Sequence, residues 1–148
     1  MSEMKSKVAF WDASAIVPLC CSQPALTTLA RRLSQSWERK VAWWGTTVEV
    51  YSALQRLHRE AVLSDEQLLR AKTRCKILSD TLRLVEPREH VRELAEALPE
   101  LYGLRALDSF QLAAALAWCK EKPRGRAFVS FDERLAKAAA KAGFSVIK

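Results

Sequence analysis

The stretch Val8-Ala9-Phe10-Trp11-Asp12-Ala13-Ser14 decides the fold. Four apolar residues run directly into an acid, and a short run of this kind is typical of a strand buried on both faces. Ligands of an open α/β sheet bind at the carboxyl ends of its strands, so Asp12 is predicted to be a site residue with Ser14 near it. The alternative is that Asp12 only turns the chain or caps a short helix, as Asp often does.

Strands alternate with helices along the rest of the chain. This alternation is typical of an α/β fold in which helices cover both faces of a parallel sheet. The length of 148 residues fits a single domain over residues 1–148. In detail, we expect an apolar turn broken at Pro18, a second strand over residues 41–44, and a loop at Pro99 and Gly103.

Two adjacent tryptophans, Trp43 and Trp44, lie on the second predicted strand. A strand covered on both faces buries alternate residues on opposite sides, which favours core packing for both. The alternative is that one of them packs in a dimer seam or stacks on a nucleic-acid base.

The chain is basic, with 24 Lys and Arg against 17 Asp and Glu, a net charge of +7. Such an excess favours polyanionic partners, nucleic acid first, although a solvated basic surface would give the same number. One loop is particularly basic, and its cations are Lys120, Lys122, Arg124 and Arg126. Such a loop is most often a solvated turn, but its nearness in sequence to Asp132 makes an RNA contact a second interpretation.

The cysteines and histidines restrict the kinds of metal and catalytic site that this sequence can form. The four cysteines form no C-x-x-C pair and no metal-finger spacing, and the two histidines lie in no metal motif. A site built on histidine is therefore not expected. The sequence shows neither a signal-peptide core nor an apolar run of membrane length, so we expect a cytoplasmic protein with reduced thiols and no membrane contact.

Four acids follow predicted strands or open predicted helices: Asp12, Glu49, Asp108 and Asp132. Each of them has a structural alternative. Glu49 fits a capping box with Thr46. Asp108 fits an N-cap with Gln111 at the matching position, and Asp132 fits another N-cap.

Taken together, the four acids suggest a catalytic centre. Strand ends and the following helix starts share one edge of a parallel sheet, so the four carboxylates are expected to converge there. Clustered carboxylates repel one another, and a hard cation such as Mg²⁺ or Mn²⁺ removes that penalty. Such a cation can assist phosphodiester hydrolysis, and a basic rim can hold the nucleic-acid backbone.

Four segments around these acids also resemble the acidic motifs of PIN-domain nucleases, and most closely those of VapC-type toxins. The segments are Phe10-Trp11-Asp12-Ala13-Ser14, Thr46-Thr47-Val48-Glu49-Val50-Tyr51-Ser52-Ala53-Leu54, Leu104-Arg105-Ala106-Leu107-Asp108-Ser109-Phe110-Gln111-Leu112-Ala113-Ala114-Ala115, and Phe128-Val129-Ser130-Phe131-Asp132-Glu133-Arg134-Leu135. The resemblance extends over nearly the whole chain, with the four motifs in the family's order.

The resemblance implies a PIN-like three-layer α/β/α sandwich with a central parallel sheet of about five strands. It implies a Mg²⁺- or Mn²⁺-dependent endoribonuclease acting on tRNA or rRNA, in a dimeric toxin held inactive by a cognate antitoxin. By the matched motifs, the acidic metal site would comprise Asp12, Glu49, Asp108 and Asp132, and Ser14 and Ser130 would support it by hydrogen bonding.

Three other classes of protein bear comparison. A phosphotransferase of the haloacid-dehalogenase type needs a second Asp where this chain has Ser14, and a dinucleotide-binding domain needs a glycine-rich turn that this chain lacks. The third class, a PIN-like domain that binds RNA or a protein without cutting, stays open.

Overall fold

A computed structural model describes residues 7–147 of the chain. Within this range five short strands form one sheet: β1 (Val8–Trp11), β2 (Arg39–Trp43), β3 (Arg83–Val85), β4 (Ala127–Val129) and β5 (Ser145–Ile147). Their order across the sheet is β3-β2-β1-β4-β5, and all neighbouring pairs are parallel. Every strand therefore starts at one edge, here called the amino edge, and ends at the other, the carboxyl edge.

Strand β1 is the middle of the sheet. Phe10 is in register with Val41 of β2 on one side and with Phe128 of β4 on the other. The chain builds the sheet in one direction from β1 to β3 and then returns to add β4 and β5. This reversal creates a crevice outside the carboxyl ends of β1 and β4, which is where open α/β sheets bind ligands.

Seven helices connect the strands: α1 (Ala13–Cys20), α2 (Pro24–Ser36), α3 (Thr46–Arg59), α4 (Asp65–Ser79), α5 (Glu89–Tyr102), α6 (Ala106–Trp118) and α7 (Glu133–Ala142). Apolar residues of α1 to α4 pack on one face of the sheet with Trp11, and those of α5 to α7 pack on the other with Phe10. The predicted α/β/α sandwich with about five parallel strands is therefore confirmed.

The expected breaks at two prolines are wrong. Helix α1 continues through Pro18, and α5 continues through Pro99 to end at Gly103, whose φ of 66° is the left-handed conformation that favours glycine. A proline inside a helix costs about 3 kcal/mol. Burial of Ile16 and Val17 on α1 contributes about 1.5–3 kcal/mol each, which offsets that cost.

The two tryptophans separate at the end of β2. Trp43 lies on the strand and stacks on Phe110 of α6, with ring centroids 5.4 Å apart. Trp44 lies just beyond the strand and is 54% exposed. The prediction that both tryptophans pack in the core is therefore wrong, because the strand covers residues 39–43 and ends before Trp44.

No single helix within residues 7–147 has the length and apolar composition needed to cross a membrane. Helices α1 and α2 reach that threshold only when taken together, and they bend by 104° at the break between them.

Candidate active site

Asp12 lies at the carboxyl end of β1 and is held by three hydrogen bonds. Ser14 Oγ donates to Asp12 Oδ1 and Ser130 Oγ donates to Asp12 Oδ2, each over 2.7 Å. The backbone N–H of Ala15 donates to Asp12 Oδ1 over 3.1 Å, so the same carboxylate caps helix α1. These contacts fix both oxygens of a side chain that is only 2% exposed.

Burial controls the charge of this carboxyl group. Loss of water raises the pKa of Asp12 from 3.8 to about 6, and the negative charge of Asp132 adds to the rise. The hydrogen bonds from Ser14, Ser130 and the Ala15 backbone oppose it because they stabilise the ionised form. Asp12 is thus a buried acid whose ionised form costs free energy unless a positive charge comes near.

The two serines join β1 to the segment after β4. Ser14 Oγ accepts a hydrogen bond from the backbone N–H of Phe131 over 2.9 Å, and Ser130 Oγ accepts one from the backbone N–H of Asp132 over 3.1 Å. Each hydroxyl therefore accepts a hydrogen bond from a backbone N–H of the segment after β4 and donates one to Asp12. This network holds the ends of the two central strands in one fixed arrangement.

Asp132 follows β4 and caps α7. Its Oδ1 accepts a hydrogen bond from the backbone N–H of Leu135 over 2.8 Å. The side chain is exposed, in contrast to that of Asp12. Its charge acts on two other acids, since it raises the pKa of both Asp12 and Asp108.

Glu49 lies in the first turn of α3 and is tied to α6. Gln111 Nε2 donates to Glu49 Oε2 over 2.8 Å and to Thr46 Oγ1 over 3.0 Å. Burial and, to a smaller extent, the charges of Asp12 and Asp108 raise the pKa of Glu49 from 4.5 to about 7, although the Gln111 hydrogen bond opposes the rise. Gly45 occupies the N-cap of α3 and no side chain caps it, so the capping box expected of Thr46 and Glu49 is wrong.

Asp108 is the third residue of α6, whose N-cap is Arg105. Asp108 caps no helix, so the alternative prediction that it is an N-cap is wrong. Burial raises the pKa of Asp108 and so does the charge of Asp132, whereas Arg134 and Arg105 lower it. Gln111 does not reach back to the start of α6 but points to Glu49 instead.

The four acids therefore divide into two pairs. Asp12 and Asp132 cap helices as well as facing the carboxyl edge, so their structural role is real. Glu49 and Asp108 have no capping role. Electrostatic repulsion links Glu49 to Asp12 and Asp108. The fold thus brings all four predicted acids into one electrostatic group.

The donor set is compatible with a hard cation. Among residues 7–147, no three His, Cys, Asp or Glu side chains stand close enough together to hold one ion by themselves. Mg²⁺ does not need such a cage, because it usually keeps several waters and takes one or two carboxylates together with substrate phosphate oxygens. Carboxylates whose pKa values are raised by burial and mutual repulsion are the groups that such a charge would stabilise.

The basic loop lies elsewhere. Lys120, Lys122, Arg124 and Arg126 all precede β4, and therefore lie at the amino edge, whereas Asp132 follows β4 at the carboxyl edge. Nearness in sequence to Asp132 is thus not nearness in space, because strand β4, which alone spans about 10 Å, lies between them. The loop takes no part in the acidic crevice, and its contact with RNA stays a prediction.

Sequence reasoning missed the role of Gln111 and Thr46. Both are almost fully buried polar side chains, 1% and 0% exposed, in a helix interface that is otherwise apolar. The one available signal was a glutamine within the nearly all-apolar run from Phe110 to Cys119. A buried amide needs partners, and these lie on a helix more than sixty residues earlier in the chain, which no local pattern reveals.

An apolar groove adjoins the acids. A cavity of about 300 Å³ lies between α1, α2 and α3, and its lining includes Ser14 and Glu49 of the site and the cation Arg56. Its apolar lining includes Val17, Leu26 and Phe131, of which Leu26 is 40% exposed. The crevice thus continues into a surface suited to an apolar segment of another molecule.

Solved structures with similar folds include three from toxin–antitoxin systems. The toxin VapC20 of Mycobacterium tuberculosis, described as cleaving the sarcin–ricin loop, aligns with a TM-score of 0.67 at 19% identity, over 95% of this chain and 98% of that one. A toxin–antitoxin complex from Klebsiella pneumoniae gives 0.61 at 16% identity over 84% and 86%. VapBC-1 from nontypeable Haemophilus influenzae gives 0.58 at 14% identity over 94% and 97%. At these identities the likeness concerns the fold.

Comparison of the sequence with protein families identifies the family as well as the fold. No curated protein matches the sequence. The family model for the PIN domain matches residues 9–141, which include all four acids, both serines and the elements that position them. The chain therefore belongs to the PIN domain family.

Proposed function

We propose that this protein is a divalent-metal-dependent endoribonuclease, a toxin that cleaves cellular RNA and is neutralised by a cognate antitoxin. Family membership supports a nuclease, and the toxin–antitoxin structures that share the fold support the toxin role. The chain would act as one domain over residues 1–148, in the cytoplasm.

One observation carries the proposal. Glu49 and Asp108 are partly buried acids that cap no helix, and the charge of Asp12 acts on Glu49 while that of Asp132 acts on Asp108. Burying carboxylates beside one another costs free energy, because their charges repel and lose water. Binding of a cation and of a phosphodiester at the carboxyl edge would explain why Glu49 and Asp108 are acidic.

The ion, Mg²⁺ or Mn²⁺, would be held by Asp12, Glu49, Asp108 and Asp132. When bound, it would supply positive charge to the scissile phosphodiester and to the attacking water. Ser14 and Ser130 would keep Asp12 ionised and oriented, because the hydroxyl of each donates a hydrogen bond to its carboxylate. Gln111 would hold Glu49 in place from the opposite helix.

The substrate would be structured RNA such as tRNA or rRNA. The net charge of +7 favours association with a polyanion, and the acids alone would repel it. Lys120, Lys122, Arg124 and Arg126 are candidates for phosphate contacts at the amino edge, at a distance from the cut. A large folded RNA can reach both edges at once, whereas a short oligonucleotide cannot.

The antitoxin would occupy the apolar groove between α1, α2 and α3. Apolar side chains of the partner would cover Val17 and Leu26, and a cationic side chain would enter the crevice at Ser14 and Glu49. Such a cation would satisfy the carboxylates and block the metal. A homodimer is also proposed, with the exposed Trp44 and Val48 as candidate contacts.

The proposal is tested with purified protein and two RNAs, a tRNA and an rRNA fragment that contains the sarcin–ricin loop. Cleavage is expected with Mg²⁺ or Mn²⁺ and not with EDTA, and Asp12→Asn and Asp108→Asn should abolish it. Asp80→Asn, which removes an exposed acid at the end of α4, is the matched control and should cleave like the parent. Intact RNA in every metal-containing reaction would reject the nuclease.

The second candidate is a PIN-domain protein that binds RNA or a protein without cutting. The observation in its favour is that no three acids of the described chain are gathered around one point. Retarded migration of the same RNAs, with no new RNA ends in Mg²⁺ or Mn²⁺, would select this candidate over the nuclease.

A further inference from the structure

A basic cavity opens at the amino edge of the sheet, away from the acids. Its volume is about 400 Å³, and it lies where β1, β2 and β3 begin and where the chain enters β4. Four cations line it, Arg39, Lys40, Arg83 and Arg126, together with one carboxylate, Glu38. We call this feature the amino-edge cavity. Its lining carries a clear excess of positive charge in a volume typical of ligand sites, about 300–1,000 Å³.

Lys40 is the unusual member of this lining. It is only 8% exposed, and within residues 7–147 its ammonium makes neither a hydrogen bond nor an ion pair. Instead, its Nζ lies 5.1 Å from the centroid of the Trp11 ring. Burial of the side chain lowers the pKa of Lys40, and the charge of Glu38 in the same lining opposes this effect. Lys40 thus presents its ammonium to the cavity, where Glu38 is the one carboxylate set against four cations.

The arginines are also available to a ligand. Arg39, Arg83 and Arg126 are exposed, and the ion pairs of residues 7–147 include none of them. The guanidinium of Arg126 lies 5.3 Å from the centroid of the Trp118 ring, which also lines the cavity. Stacking on the ring restricts the guanidinium and leaves its N–H groups free to donate at the edge.

We propose that the amino-edge cavity binds the phosphate group of a nucleotide unit. Guanidinium groups match phosphate oxygens in pairs of hydrogen bonds, and an ammonium adds a compact charge. The guanidinium of Arg126, held over the half-buried ring of Trp118, offers a planar surface on which the attached base can stack. The nucleotide can belong to an RNA strand or be free, since the phosphate chemistry is the same.

This site is distinct from the proposed cleavage site. The strands separate the amino-edge cavity from the four acids, so no phosphate can contact both. Binding at the cavity also needs no metal, because the cations come from the protein. The cleavage proposal and the phosphate-binding proposal can therefore be rejected independently, because a protein that cleaves no RNA can still bind a phosphate in the amino-edge cavity.

The test is calorimetric titration in EDTA, where cleavage cannot occur. The probes are AMP, adenosine and a single-stranded RNA of five nucleotides. Arg83→Gln, Arg126→Gln and Lys40→Met remove charge from the cavity, and Arg83 and Arg126 are exposed, so their replacement leaves the core intact. Matched controls are Arg32→Gln and Lys76→Met, which remove the same charges from exposed positions of α2 and α4 outside the cavity.

The parent is expected to bind AMP at least tenfold more tightly than adenosine. Each cavity variant should lose about tenfold in AMP affinity, as expected when a hydrogen bond to a charged group is removed, and the controls less than twofold. If the cavity variants lose as much affinity for the RNA pentamer as for AMP, the bound nucleotide belongs to an RNA strand. If only the affinity for AMP falls, the ligand is a free nucleotide. Equal affinity for AMP and adenosine, or equal losses in cavity and control variants, would overturn the proposal.

Discussion

Gln111 on α6 donates a hydrogen bond from Nε2 to Oε2 of Glu49 on α3, over 2.8 Å. The same nitrogen contacts the hydroxyl of Thr46 over 3.0 Å, and neither Gln111 nor Thr46 is accessible to water. Two helices that are remote in sequence are thus joined by one buried amide at the position of a proposed metal ligand. The contact fixes the carboxylate and also lowers its pKa.

Replacing this amide should change how cleavage depends on pH. Gln111→Met keeps the length of the side chain but removes the hydrogen bond that lowers the pKa of Glu49. Glu49 would then lose its charge at a higher pH, so the acidic limb of the pH–rate profile should move upward and the rate at neutral pH should fall about tenfold. The measurement is the rate of RNA cleavage from pH 5 to pH 9 at fixed Mg²⁺.

Thr46→Val is the matched control for that variant. It removes the other partner of the Gln111 amide and leaves the bond to Glu49 in place. It should cost about 1 kcal/mol of stability, the usual value for one hydrogen bond, without moving the pH profile. A shift of equal size in both variants would mean that the interface, and not the bond to Glu49, sets the profile.

A second prediction separates caps from metal ligands. Asn caps a helix about as well as Asp, so Asp12→Asn and Asp132→Asn should leave α1 and α7 intact while removing charge. Glu49→Gln and Asp108→Asn disturb no cap. The parent should gain about 2.7 kcal/mol in Mg²⁺ or Mn²⁺ at a hundredfold excess over Kd.

The four variants should lose most of that gain, and Asp80→Asn should keep it. Thermal unfolding with and without metal measures the difference. If the four variants gain as much from metal as the parent does, the carboxylates do not hold an ion.

A third prediction concerns the pH dependence of stability without metal. Folding raises the pKa of Asp12 from 3.8 to about 6, so between these values the folded state binds more protons than the unfolded state. Stability is then lost as the pH rises through this window. Asp12→Asn should be more stable than the parent at pH 8, by up to about 3 kcal/mol for a shift of two pKa units. The advantage should vanish below about pH 4.

Urea unfolding of both proteins in EDTA across this range gives the comparison. Asp80→Asn, whose parent residue is exposed, should follow the parent at every pH. An Asp12→Asn variant that is less stable than the parent at pH 8 would contradict a buried, charge-penalised carboxylate.

A fourth prediction concerns the antitoxin groove. Leu26→Glu places a charge in the apolar groove beside Glu49, where a partner helix would have to bury it. The variant should cleave RNA at the rate of the parent but resist inhibition by the product of the neighbouring gene. Leu69→Glu, at an exposed apolar position of α4, is the control and should remain inhibited. Equal inhibition of both variants would place the partner on another surface.

Local patterns predicted most of the secondary structure. Ser64 and Gln67 have the spacing of a capping box and form one at the start of α4, and Gly143 ends α7 in the left-handed conformation that favours glycine. Both signals are local, because each residue acts on backbone groups within one turn. The breaks predicted at Pro18 and Pro99 are wrong for a related reason. The free-energy cost of a proline in a helix is visible in the local sequence, whereas the burial that offsets it depends on the assembled core.

The site was predictable only where sequence position determines spatial position. Parallel strands place every strand end at one edge, so the edge on which Asp12 and Asp132 lie followed from the pattern of strands. The same rule, applied to the residue before β4, would have placed Arg126 at the opposite edge. The link between Gln111 and Glu49 depends on how α6 packs against α3, and nothing in either segment specifies that packing.

The double duty of Asp12 and Asp132 as caps and acids has a genetic consequence. A single G-to-A transition converts either aspartate codon to asparagine, and the resulting side chain still caps its helix. The same transition at the codon for Glu49 gives lysine, which Gln111 cannot hold in the same way. Under selection against toxicity, escape alleles with normal protein abundance should therefore accumulate at the aspartate codons, including that of Asp108, which caps no helix, and less at the codon for Glu49. A lineage could in this way pass from a cutting enzyme to a folded binding protein in one mutational step.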